Sequence, residues 1–188
     1  MSGHGADHGS SNKKVALLIA VLALFLAFSE TLGKSAQTAG LSLNVEASNL
    51  WAFFQAKTIR QTSLRAAAEA LDVQRVMGMN PAGDAAAAKQ YESWNKTIAR
   101  WESEPETREG RKELVVRAKD AESKRDTALA KYHHFEFASA AFQIAIVLAS
   151  ATVITGIALL MWIAAGLGVF GVAFMAVGVF APHAFHLI

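Results

Sequence analysis

The last 52 residues of the chain, Phe137 to Ile188, contain no Asp, Glu, Lys or Arg. A hydrocarbon core takes about 20 apolar residues per helix, so this run is long enough for two membrane passes. A soluble domain of this size does not leave such a stretch unbroken. An earlier apolar run, Val15 to Phe28, follows Lys13 and Lys14. It resembles the core of a secretory signal peptide, with Ala27 and Ser29 as small residues before a cleavage site. The uncleaved reading extends the helix to Gly33 and reaches spanning length. The expectation is therefore an all-α integral membrane protein with three spans, 13–33, 137–160 and 164–181. Its charge lies in an extramembrane helical segment, 34–136.

All 18 Lys and Arg fall between Lys13 and Lys131, and all 16 Asp and Glu between Asp7 and Glu136. In the middle segment the two signs are interspersed. Nucleic-acid binding calls for a basic face, and this mixture argues against it. The chain has no cysteine, which excludes disulfides, thiolate metal sites and cysteine nucleophiles. The Gly/Ser-rich residues 1–12 read as a disordered tail, and 182–188 as a short C-terminal one.

The C-terminal run must turn once. Met161-Trp162 is the expected turn, because Trp favours the headgroup level. Each of the last two helices carries a stripe of mostly small residues on one face. Ala141, Ala145, Ala149, Thr152 and Gly156 mark the first, and Ala164, Gly168, Gly171, Met175 and Gly178 the second. Steps of three and four keep each set on one side, where small residues let helix backbones approach in lipid. Glu30 and Lys34 are spaced for an interfacial ion pair. Gln143 is placed to hydrogen-bond to a neighbouring helix. Gly166-Leu-Gly168-Val-Phe-Gly171 matches a dinucleotide pattern only by chance, since no soluble strand precedes it and no acidic residue follows at the required distance.

The middle segment reads as a helical hairpin with an outgoing helix to about residue 77, a turn over 78–84 and return helices over 84–103 and 105–136. The outgoing helix has coiled-coil spacing. Leu43, Leu50, Lys57, Leu64 and Leu71 form one row, and Ala47, Phe54, Gln61 and Ala68 the row beside it. Gly33 and Gly40 leave room for a kink before Asn44. Asp84 is a candidate N-cap, and Pro105 suits the first turn of the last helix. That helix should run straight into the membrane. Reflecting positions about Asn80 sets Lys57 near Glu102, Glu104 and Glu106. A lysine in a leucine seam costs stability unless paired, so Lys57, with Arg60, should meet one of those carboxylates.

Two segments carry a family resemblance: Glu46-Ala-Ser-Asn-Leu-Trp51-Ala-Phe-Phe-Gln55-Ala-Lys57-Thr-Ile-Arg60 and Phe142-Gln143-Ile-Ala-Ile-Val-Leu-Ala149. With them in these places, the chain resembles a bacterial family known as domain of unknown function 4337. The resemblance covers nearly everything beyond the N-terminal tail. It implies a bacterial inner-membrane protein with three spans and a long helical insertion, and supplies no activity or catalytic residues. Family members often carry basic residues at the last turn, where this chain has Met161 and Trp162. Lys13 and Lys14 then favour a cytoplasmic N-terminus and a periplasmic insertion, while Lys124, Arg125 and Lys131 pull the other way.

Three functions remain in view. A non-enzymatic scaffold would act through the helical insertion, its partners being the bilayer and a second copy or another membrane protein. An ion or small-solute channel, or its accessory subunit, would have to use Glu30, Glu136 and Gln143. An enzyme is the weakest reading: no nucleophile elbow, H-E-x-x-H motif or P-loop is present, and no cofactor or metal is expected. The histidine pairs His4/His8, His133/His134 and His183/His186 lack the fixed geometry that about four metal ligands need.

Overall fold

The protein, a computed structural model described over residues 6–184, is all-helical there. Its four helices are α1 Ala6–Val76, α2 Pro81–Glu102, α3 Arg111–Thr155 and α4 Ala158–Phe180. Of the tail expected to be disordered, residues 1–5 fall outside the described part, and from Ala6 the backbone is helical. The last residues of the expected C-terminal tail, 185–188, also lie outside it. Portions of α1, α3 and α4 are long and apolar enough to cross a membrane. Gly33 and Gly40 do not break α1, which is continuous through the region where a kink was conceivable.

The helix ends follow from local chemistry. Beyond Val76, Gly78 takes a left-handed φ of 104°, which only glycine adopts without strain. Asn80 then caps α2 by accepting a hydrogen bond from the Gly83 backbone N–H at 2.7 Å, and Pro81 supplies the preset φ of a first helical residue. The cap expected at Asp84 is thus displaced to Asn80. Asp84 lies inside the first turn and takes a 3.0 Å hydrogen bond from Arg75 Nε instead.

The break at Ser103-Glu104-Pro105 is longer than expected, because α3 starts at Arg111 and not at Pro105. Glu113 explains why. Its carboxylate accepts from Ser103 Oγ at 2.7 Å and from the Glu104 N–H at 3.1 Å, tying the loop to the first turn of α3. Gly110 is buried there, and a Cβ on it would collide with Glu113 and the Glu104 backbone.

α3 runs unbroken to Thr155. The turn that follows is Gly156-Ile157, not Met161-Trp162. Gly156 has a φ of 70° and so ends the helix; it does not belong to the packing stripe. Met161 and Trp162 stand inside α4, with Trp162 exposed. Pro182 follows the end of α4, as expected of a residue that cannot continue a helix.

The chain divides into two compact units. The first comprises the chain up to Leu41 and from Lys124 onward. Its core joins Val15 and Leu22 of α1 to Ala138, Phe142, Ala145 and Ala149 of α3 and Ala164 of α4. Phe25 stacks on Phe142, the ring centroids 5.9 Å apart. The small residues permit this approach: a Cβ on Gly171 would lie 2.7 Å from Phe142 Cε1, and one on Gly168 would lie 2.6 Å from Leu22 Cδ2. Ala141, Ala145, Ala149, Thr152, Ala164, Gly168, Gly171 and Gly178 are all buried. The outward faces are apolar, with Leu17, Ile154, Val169 and Phe180 among the exposed residues, in keeping with helices long and apolar enough to cross a membrane. The second unit, Ser42–Ser123, has a core of Ala47 and Leu50 against Leu114, Ala118 and Ala121.

Candidate functional site: a polar layer in the Ser42–Ser123 unit

Spacing on α1 sets Lys57 and Gln61 one turn apart on the face that also carries Leu50. Both are buried, Lys57 at 7% and Gln61 at 2% exposure. Each buried polar group must then find a partner or bear its desolvation.

Gln61 is satisfied at both ends. Its Nε2 donates to the Ile98 carbonyl at 3.0 Å and to Glu102 Oε2 at 3.1 Å. Its Oε1 accepts from an Arg111 guanidinium nitrogen at 2.6 Å. Arg111 bridges the three helices: it also donates to Glu102 Oε2 at 2.8 Å and, through Nε, to Thr58 Oγ1 at 3.0 Å. Its guanidinium lies 5.1 Å from the Phe54 ring centroid, a cation–π distance. The Gln61 hydrogen bond, followed by the charges of Arg111 and Lys112, holds the Glu102 carboxyl below its ordinary range, against desolvation.

Lys57 donates to the Glu109 carbonyl and stands 3.9 Å from Glu104 Oε2, with its ammonium 5.1 Å from the Phe53 ring centroid. Lys57 thus meets the 103–110 loop through a backbone carbonyl as well as through the Glu104 carboxylate. Next along α1, Trp51 Nε1 donates to Glu122 Oε1 at 2.9 Å and meets the Phe54 ring edge-on.

Other residues expected in this layer stand apart from it. Arg60 and Glu106 are exposed, and neither makes an ion pair among the described residues. Leu43, Leu64 and Leu71 are half-buried on the same row as Leu50. Arg111 takes the role foreseen for Arg60. Sequence reasoning missed it because reflection about Asn80 holds only for α1 against α2. The 103–110 loop resets the register before α3, and no residue pattern announces the new one.

The Glu30–Lys34 pair also gives way to another contact. Helical side chains lean toward their own N-terminus, so on antiparallel α1 and α3 Glu30 and Gln143 reach toward each other. Gln143 Nε2 donates to Glu30 Oε1 at 3.3 Å. The histidines have separate partners. His134, buried, shares a hydrogen bond with the Pro182 carbonyl at 3.1 Å, and His183 pairs with Thr127 at 3.0 Å. His133 lies 3.7 Å from Glu136. His4 and His186 lie outside the described residues, as does the side chain of His8. No cluster of three His, Cys, Asp or Glu side chains that could hold a metal occurs among the described residues.

The layer therefore joins α1, α2 and α3 by paired charges and shared amide bonds. Groups arranged in this way are satisfied by one another in a buried setting, as buried polar side chains require. A family model matches residues 11–181, and its description is Domain of unknown function (DUF4337). No curated protein and no solved structure matches the chain.

Proposed function

We propose that this chain, which belongs to the family of unknown function DUF4337, is a non-enzymatic membrane protein whose helical insertion pairs with a second copy of itself. The setting of this reading is the bacterial inner membrane. The N-terminus is cytoplasmic, following Lys13 and Lys14, and the insertion is periplasmic.

One observation carries the reading. Beside the row that holds Leu50 and Lys57, α1 has a second heptad row: Val45, Ala52, Ile59, Ala66 and Val73, all exposed. Val45, Ile59 and Val73 leave 59%, 67% and 58% of their surface open. An offset of two residues at 3.6 per turn turns this row about 200° away from the first. One face of α1 is thus used within the chain, and the opposite face repeats the same spacing without a partner among the described residues.

Copies anchored in one membrane run parallel, so each residue of the row meets its own counterpart. Gln55 and Thr62 lie between the apolar positions and can hydrogen-bond across the pair. Glu69 would face its own copy, so the tightest contact centres on Ile59.

The natural absence of cysteine makes the test clean. Ile59→Cys, oxidised in native membranes, should give a covalent dimer of the chain, and Glu92→Cys on exposed α2 should not. A monomeric Ile59→Cys chain under these conditions, or cross-linking at both sites alike, overturns the reading. Cross-linking to a different protein would assign the row to another partner.

A further inference from the structure

Within the unit formed by the chain up to Leu41 and from Lys124 onward, the segment that follows α4 is fastened to α3 at two points. The Pro182 carbonyl meets His134 Nε2 at 3.1 Å, and His183 Nε2 meets Thr127 Oγ1 at 3.0 Å. The two ties differ in chemistry. A hydroxyl both donates and accepts, so Thr127 suits either state of His183. A carbonyl only accepts, so His134 must carry its hydrogen on Nε2. Its Nδ1 is then a bare lone pair, and this buried atom has no hydrogen-bond partner among the described residues.

His134 is 1% exposed. α4 closes over it because position 178 is glycine: a Cβ there would lie 2.9 Å from His134 Cβ. The Phe174 ring packs beside it, the ring centroids 6.0 Å apart. A proton taken up at Nδ1 would make a buried cation whose new N–H has no acceptor. The surrounding charges do not offset it. α4 carries no charged residue. On α3, Lys131 lies one turn before His134 and is itself a cation, while Glu136 is exposed and shared by Tyr132 and His133. α1 meets this level at Gly33, beside Phe135. Its Glu30 and Lys34 are both exposed, and Glu30 is taken by Gln143. In the segment itself the titratable group is His183, held by Thr127. The bond to the Pro182 carbonyl would gain from a charged ring, but one charge-assisted bond does not offset the burial of an unpaired cation.

We propose that residues 181–184 form a pH-operated latch, closed while His134 is neutral and released when it takes a proton. Release lets Nδ1 reach water, so acid shifts the population toward the open form. Every residue of the latch lies outside Ser42–Ser123, so it is independent of the Val45–Val73 row.

The test uses the full chain in detergent micelles with a nitroxide on Ala184→Cys, the natural chain having no cysteine. Ala184 is exposed, so the label has room. Electron paramagnetic resonance should show an immobile label at pH 8 and a mainly mobile one at pH 5, the interval in which histidine charges. Raising the pH should restore the first spectrum, and circular dichroism should show the helices intact throughout. His134→Gln keeps an N–H for the Pro182 carbonyl but takes no proton, and its label should stay immobile across the interval. The chain with His133→Gln, His183→Gln and His186→Gln together should still respond, which tests His134 even if its own variant fails to fold. A wild-type label whose mobility does not change, or a response that survives His134→Gln, overturns the proposal. So does loss of the response in the triple variant, or release that occurs only as the helices unfold.

Discussion

Arg111 shows how much one side chain organises in the Ser42–Ser123 unit. It touches Thr58, Gln61 and Glu102 at once, so its removal strands the buried Gln61 carbonyl oxygen. Leaving a buried acceptor unpaired costs about 1–3 kcal/mol. Arg111→Ala should lower unfolding stability by that order, read by denaturant melting followed by circular dichroism. Arg60→Ala, on an exposed neighbour, should change it by less than about 0.5 kcal/mol. The carboxylates give a pH signature. Glu102 is held low first by Gln61 and Glu113 first by Ser103, and both fall below the ordinary value of 4.5. A carboxyl whose folded value is depressed stabilises fully above its unfolded value and loses that contribution as pH falls through the folded one. Thermal midpoints should therefore hold steady from neutral pH down to the usual carboxylate range and fall below it. Glu102→Gln should make that acid fall shallower, measured by melts between neutrality and pH 3.

At the scale of the helices, what could be read in advance was whatever depends on local composition. The three apolar stretches, the breaks near Gly78 and Ser103, and the continuity of α3 into its apolar half all follow from hydropathy and from Gly and Pro. The precise ends were not readable, because they depend on which side chain satisfies which backbone group. Asn80 outcompetes Asp84 as cap since Pro81 already fixes the first helical residue. Gly156 ends α3 through its left-handed φ, whereas the sequence placed it only by spacing. Glu30 turns to Gln143 and not to Lys34, a choice set by packing that one helix alone cannot reveal. The glycine contacts lead to a prediction for α4. A Cβ at Gly171 meets the Phe142 ring at 2.7 Å, and that ring is fully buried and cannot step aside. Gly171→Ala should destabilise the unit that contains α4 by about 1–3 kcal/mol, the range for overpacking. Gly166→Ala has open space around its Cβ position and should be neutral or slightly stabilising. Denaturation by sodium dodecyl sulfate titration in mixed micelles would rank the two.

For the molecule as a whole, the decisive question is why a helix as long as α1 should be apolar on two opposite faces. Its inner face is explained within the chain, by Leu50 against Leu114 and by Gln61 against Ile98. The outer row has no such account, and isolated apolar residues on a surface need none. Five at strict heptad spacing are different, because that period keeps one seam facing a partner helix. The row is modest, with two alanines among its five residues, so the pairing it supports should be reversible and dependent on concentration. Anything that binds only the folded state raises its apparent stability by mass action. The melting temperature of the protein in mixed micelles should therefore rise as the ratio of protein to detergent rises. Ile59→Glu puts like charges opposite each other at the centre of a parallel pair and should remove that dependence, while the dilute midpoint stays near the wild type because residue 59 is exposed. A loss of dilute stability in the same variant would instead mean that Ile59 serves the fold of a single chain, and the outer row would lose its claim as a docking seam.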